Sequence, residues 1–179
     1  MTALGRFQTI LEAAGHTARI AQLDDGQTGP LVLAFPADAT GRERSLFIET
    51  VPRAPDDAPD DAEIIVFSYA YPYALADLDV VPEVVRLLFL LNRLLPIGAH
   101  QFCEETLGVF MTYHLLTDTA ADTPASVLVD AVGMIADFTA AHGALIERVM
   151  HGQADCQSIA RDLDDHGLRL QPVFTAALG

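Results

Sequence analysis

The stretch LLFLLNRLLPIGAHQFCEETLGVFMTYHLL, residues 87–116, passes from one kind of secondary structure to another within a few residues. Its apolar first part continues a segment that begins near Asp79, and the spacing predicts a helix over 79–95. The residue before a proline is pushed out of the helical region, so Pro96 ends that helix near Leu95. Gly98 supplies the turn that follows. "AHQFCEE" and "LGVFMTYHLLT" then read as two strands of a hairpin that turns between Glu105 and Gly108.

Around the helix, at ~100° per residue, the residues fall into three sectors. Asp79, Glu83, Arg86 and Arg93 form a narrow polar stripe with Leu90 among them. Val80, Val84, Leu88, Leu91 and Leu95 centre on the side expected to face a sheet. Val85 and Phe89 lie beyond that arc, with Asn92 beside them. The apolar sector covers roughly half the circumference, whereas one packing face needs only a ~100° stripe. The excess requires a cover. Either the long helix after Pro124 supplies it, or the same helix of a second chain does, with Val85 and Phe89 as the interface.

Residues 2–15 read as a first helix, with Thr2 as its cap, Phe7, Ile10 and Leu11 on one face and Gly15 at its end. Strands follow at "TARIAQL", "GPLVLAFP", "RERSLFIETV" and "AEIIVFSYAY". The last two are joined by "PRAPDDAPDDA", a proline- and aspartate-rich connection that reads as a solvated loop. Thr123-Pro124 reads as an N-cap with proline at the first helical position, opening a long helix towards Met150. Leu128, Ala131, Ile135, Phe138, Leu145 and Val149 lie near one face of it, and Gly133 and Gly143 are points where it could bend or split. The order α-βββ(β)-α-ββ-α is that of an α+β domain, helices packed on an antiparallel sheet. It is expected to span 1–152. Residues 153–179 form a C-terminal extension with no assigned role.

At 179 residues the chain is long enough to bury roughly two-thirds of its extended surface in one domain. Its net charge of −15 disfavours nucleic acid and anionic membranes as partners. No lysine is present, which removes Schiff-base chemistry and a phosphate-loop lysine. Cys103 and Cys156 make no disulfide framework, and residues 1–15 have no core of a signal peptide. No uninterrupted apolar run reaches bilayer length, the longest being broken by Arg86, Asn92 and Arg93. The expected compartment is the cytoplasm, with both thiols reduced.

Candidate chemistry centres on His100, Cys103, Glu104 and Glu105. On a strand His100 and Cys103 point to opposite faces, which separates the two best metal ligands. Cys103 then reads as a small buried hydrophobe and the glutamates as solvated turn residues. His114 and His142 are reachable only through folding, and no serine lies in a nucleophile-elbow context. Tyr69, Tyr71 and Tyr73 alternate in phase along one face, which reads as a packed or partner-facing surface, with a ligand-facing stripe as the alternative. No catalytic, metal or cofactor-binding residue is assigned. The alternative is a small-molecule-binding protein or an enzyme with a pocket near His100, Cys103 and His114.

The stretch from Leu90 to Leu116 resembles the helix-to-hairpin signature of the YbjN family. Asn92, Gly98, Gly108 and the strand Val109 to Leu115 carry the match. Motif-level similarity covers about 78–116, and the element order resembles the type III secretion chaperone-like fold over about 5–150. The resemblance implies a small acidic non-enzymatic protein without cofactor. It implies a homodimer that binds a segment of a client protein or a signalling partner and acts as a chaperone or a regulator of sensory transduction. Residues after Gly152 depart from the pattern.

Overall fold

The computed structural model describes residues 2–24, 27–52, 63–118 and 120–165. The chain runs α1 (Ala3–Ala13), β1 (Thr17–Gln22), β2 (Thr28–Phe35), β3 (Arg44–Pro52), β4 (Glu63–Ala70), α2 (Val81–Asn92), β5 (Ala99–Cys103), β6 (Gly108–Thr117), α3 (Ala125–Met150) and α4 (Cys156–Asp165). Single 3-10 turns at Leu78–Val80 and Ala120–Asp122 precede α2 and α3. The expected α+β architecture is present, with six antiparallel strands in the order β1-β2-β3-β4-β6-β5. The first four form a meander. The chain then leaves through α2 and returns as a hairpin whose second strand pairs with β4, placing β5 on the edge.

Period-two alternation decides which face is covered. Leu31, Leu33, Leu46, Ile48, Ile65, Phe67, Tyr69, Val109 and Met111 are buried on the helix side. Phe7 and Leu11 of α1 join them, as do Leu128, Val132, Ile135, Ile146 and Val149 of α3. Thr2 Oγ1 caps α1 by accepting from Gly5 N at 3.2 Å. On the opposite face Phe47, Val51 and Leu116 remain exposed.

Several boundaries differ from the sequence expectation. Helix α2 ends at Asn92, three residues before Leu95, because Asn92 turns its amide to β5; Arg93 N and Leu94 N bond back to Leu90 and Leu91 in a tightened last turn. Thr123 is not a helix cap. It is buried, its hydroxyl has no partner among the described residues, and its carbonyl accepts from Arg6 Nη1 at 2.9 Å. Pro124 takes the cap position and the helix starts at Ala125. Helix α3 runs through Gly133 and Gly143 without a break. By length and composition it could cross a membrane, but its apolar stripe is packed into the protein core, as in the central helix of a globular domain.

The domain also extends past residue 152. Ile159 and Leu163 of α4 are buried, Glu83 on α2 accepts from Cys156 N at 2.9 Å, and Arg148 meets Asp162 at 3.4 Å. The acidic loop is outside the described residues from 53 to 62, and so is the tail from 166.

Gly98 turns the chain as expected. Its φ is +69°, and a Cβ there would lie 2.5 Å from the Thr112 carbonyl oxygen. Gly98→Ala should therefore destabilise the fold by about 2 kcal/mol or more, from left-handed strain plus the clash. Urea unfolding measures this, and an unchanged midpoint would show that the turn tolerates a side chain.

Candidate functional site

Helix α2 buries Val84, Leu87, Leu88 and Leu91. Leu90, placed by spacing among the polar residues, is half-buried. Helices α3 and α4 both pack against α2, yet Phe89 on the far arc is left uncovered. Val85 is half-buried and Phe89 is 72% exposed. Of the two covers considered for this arc, α3 does not supply one. The surrounding charge is small. Glu83 and Arg86 pair at 2.8 Å on the surface, and Arg93 follows the helix.

The three residues of the alternative pocket do not converge. His100 pairs in register with Met111 and shares its buried, helix-covered face. Cys103 pairs with Gly108 and has the opposite parity. His114 pairs with Val66 and is exposed on the outer face. It lies six residues along β6 from the position of Cys103, a separation of about 20 Å. Cys103 is half-buried rather than buried, and its thiol donates to Glu105 Oε2 at 3.1 Å. Among the described residues no group of three or more His, Cys, Asp or Glu side chains is placed to hold a metal.

His100 has a different role. Asn92 Oδ1 accepts from His100 N at 2.6 Å, and Asn92 Nδ2 donates to His100 O at 3.0 Å. The asparagine amide thus occupies the edge of β5 as a neighbouring strand would. The imidazole of His100 reaches α3, where its Nε2 lies 2.8 Å from Nδ1 of His142. The Tyr71 hydroxyl is 3.5 Å from the other ring nitrogen. Two rings at that separation share one proton, so one donates, one accepts and both are neutral. Burial drives both pKa values down, with the His142 neighbour adding to the effect on His100, which falls to about 3. The spacing of His142, four positions from Phe138 and three from Leu145 on the apolar face of α3, is the signal that could have placed it in the core, and nothing local marks its partner. Tyr69 and Tyr71 are buried and pack edge to face at 4.9 Å, so that part of the tyrosine stripe is packing.

The other sheet edge is partly occupied too, since Gln8 of α1 donates to the Ala18 carbonyl of β1 at 3.3 Å. Between Asn92 and Gln8, both edges carry side-chain amides where a peptide strand would add.

No protein-family model matches this chain, and no curated protein matches it.

The histidine pair makes stability depend on pH. Both folded pKa values lie below the unfolded value of about 6.5, so the unfolded chain takes protons first. Stability is complete above pH ~6.5 and is lost as pH falls from there towards about 3. Urea midpoints should drop between pH 7.5 and 5, and the double substitution His100→Gln, His142→Gln should flatten that slope. Equal midpoints at the two pH values in the natural protein would mean that the rings are hydrated.

Proposed function

We propose that this protein is a non-enzymatic, cytoplasmic protein-binding module of the chaperone-like or regulatory kind, joined as a homodimer through α2. The observation behind this is Phe89, an exposed phenylalanine on a helix whose neighbouring apolar residues belong to the core. Burying such a side chain gains about 1.5–3 kcal/mol, and a two-fold contact gains it twice. Charge favours the same face. Two copies of a chain at −15 repel each other, but α2 carries one acid and one base, already paired, with Arg93 beyond them. With amides on both sheet edges, strand addition is the weaker route for recruiting a partner. The resemblance of residues 78–116 to the YbjN family and the chaperone-like element order point the same way. The client surface in this reading is the open sheet face, where Val51, Ile64 and Leu116 form one row across three strands and Phe47 stands nearby.

Sedimentation velocity at tens of micromolar tests the dimer, since a standard-sized interface of ~1,600 Å² should hold in that range. The natural protein should sediment as a dimer, and Phe89→Glu as a monomer with an unchanged far-ultraviolet circular dichroism spectrum. A monomeric natural protein removes the dimer, and a Phe89→Glu variant that stays dimeric removes α2 from it.

A further inference from the structure

Between the β2–β3 connection and α3 lies a cleft of about 270 Å³ whose two arginines and two carboxylates are equal in number but unevenly paired. One wall is the turn built on Asp38. Its Oδ1 accepts from Thr40 N, Thr40 Oγ1 and Arg42 N, and its Oδ2 accepts from Arg42 Nε at 2.7 Å. These bonds, the one from Thr40 Oγ1 foremost, hold the Asp38 carboxyl well below the usual range. Arg42 then reaches α3, meeting Glu147 Oε1 at 2.8 Å, and lies over the Tyr73 ring with its guanidinium carbon 4.5 Å from the ring centre. Both carboxylates of the cleft are thereby committed to one arginine.

The second arginine has none. Arg44 is half-buried, at the first position of β3. Its Nε donates to the Tyr69 hydroxyl at 2.9 Å and its Nη2 to Thr139 Oγ1 at 2.8 Å. Its guanidinium also lies 5.5–5.7 Å from the centres of the Tyr69 and Phe35 rings. Among the described residues no carboxylate comes within ion-pair distance of it. A guanidinium has five N–H donors, so three remain, on a cation that has given up part of its hydration to neutral hydroxyls. This happens in a chain with 25 acidic side chains and ten basic ones, where a carboxylate partner is the easiest thing to find. Thr139 donates its own proton to the Ile135 carbonyl at 2.8 Å, which fixes its oxygen as the acceptor that aims Arg44. Opposite, the α3 wall is Ala140 and Ala144, exposed and small, so the cleft is open from that side.

We infer that this cleft binds a small monoanionic carboxylic acid, its carboxylate on the free donors of Arg44 and its body between Tyr73 and the alanines of α3. The fork of a guanidinium matches a carboxylate with two parallel bonds. A phosphate dianion fits less well, because Asp38 and Glu147 line the same small space and one unpaired arginine does not balance two charges. Tyr73 is a further donor. Burial, foremost, pushes its phenol up to about 12, so it stays protonated at neutral pH. The site is independent of the α2 surface and does not require a dimer.

Sodium benzoate is the probe, titrated into the full-length protein and followed by amide chemical shifts. Saturable shifts should appear with millimolar affinity. Benzamide, which lacks the charge, and inorganic phosphate should each bind at least ten-fold more weakly. Arg44→Gln should weaken benzoate at least ten-fold, and Arg44→Lys, which keeps the charge and loses the fork, several-fold. If either variant fails to fold, Ala144→Leu decides instead: it fills the cleft from its exposed side and should abolish the shifts. N-acetylphenylalanine, run against its amide, separates the two sources of such a group. Binding of the acid tighter than benzoate identifies a peptide C-terminus, and weaker binding identifies a free small acid. No saturable shift with benzoate or N-acetylphenylalanine up to tens of millimolar would overturn the inference. So would undiminished benzoate binding in folded Arg44→Gln or in Ala144→Leu, or phosphate binding as tightly as benzoate.

Discussion

Two hydrogen bonds from the Asn92 side chain hold the helix layer and the sheet in one arrangement. They end α2, close the edge of β5 and fix the backbone of His100 at the place where its ring meets α3. Each bond is worth only about 1 kcal/mol net. Their consequence is larger than that sum because they join α2 to β5 at the residue whose ring carries the contact on to α3. Without them the helix has no reason to stop before Leu95, and β5 has an open edge at His100. Gly98 makes the same corner possible by letting the chain pass against the Thr112 carbonyl, where a side chain would collide.

A buried imidazole pair is an unusual way to join a helix to a sheet. Apolar residues of similar volume would pack there without needing partners, and they would not be sensitive to acid. The pair adds direction. A neutral ring–ring hydrogen bond forms at one rotation and one height of α3 relative to β5, whereas an all-aliphatic contact tolerates sliding. Gly143, one residue further along α3, imposes a second constraint of this kind. A Cβ there would lie 2.7 Å from the Tyr73 hydroxyl, so the helix can approach the tyrosine only at that point. Register of α3 is thus constrained by His142 and Gly143 together.

The elements that local pattern determines were legible. The strand alternation, the Pro96-Ile97-Gly98 break and the over-wide apolar arc of α2 all follow from side-chain period and backbone sterics. Helix ends were read less well. Pro96 marks where α2 could no longer continue, but Asn92 ends it earlier, and its partner is a backbone group eight residues on. Thr123 has the composition of a cap and is instead drawn into the core with its carbonyl on Arg6, a contact 117 residues away in sequence. Contacts of that span leave no periodic trace. The same holds for His100 with His142, and for Arg42 with Glu147. His100, Cys103 and His114 looked like a cluster because they are close in sequence, but strand parity and the length of β6 disperse them.

The distribution of arginine follows from the scarcity of positive charge. With ten bases against 25 acids, cations are scarce, and repulsion between carboxylates favours spreading the few cations widely. Arg42 does the reverse, holding Asp38 and Glu147 at once and binding a surface turn to the central helix. This use is structural, since the turn would otherwise present two like charges to each other across the cleft. Arg44, two residues further on and about 7 Å of extended chain away, has no such duty and donates to hydroxyls that could have bonded to water. Two carboxylates and two arginines leave the cleft neutral in sum, but both carboxylates lie on Arg42, so the Arg44 guanidinium keeps free donors and has no carboxylate within ion-pair distance among the described residues.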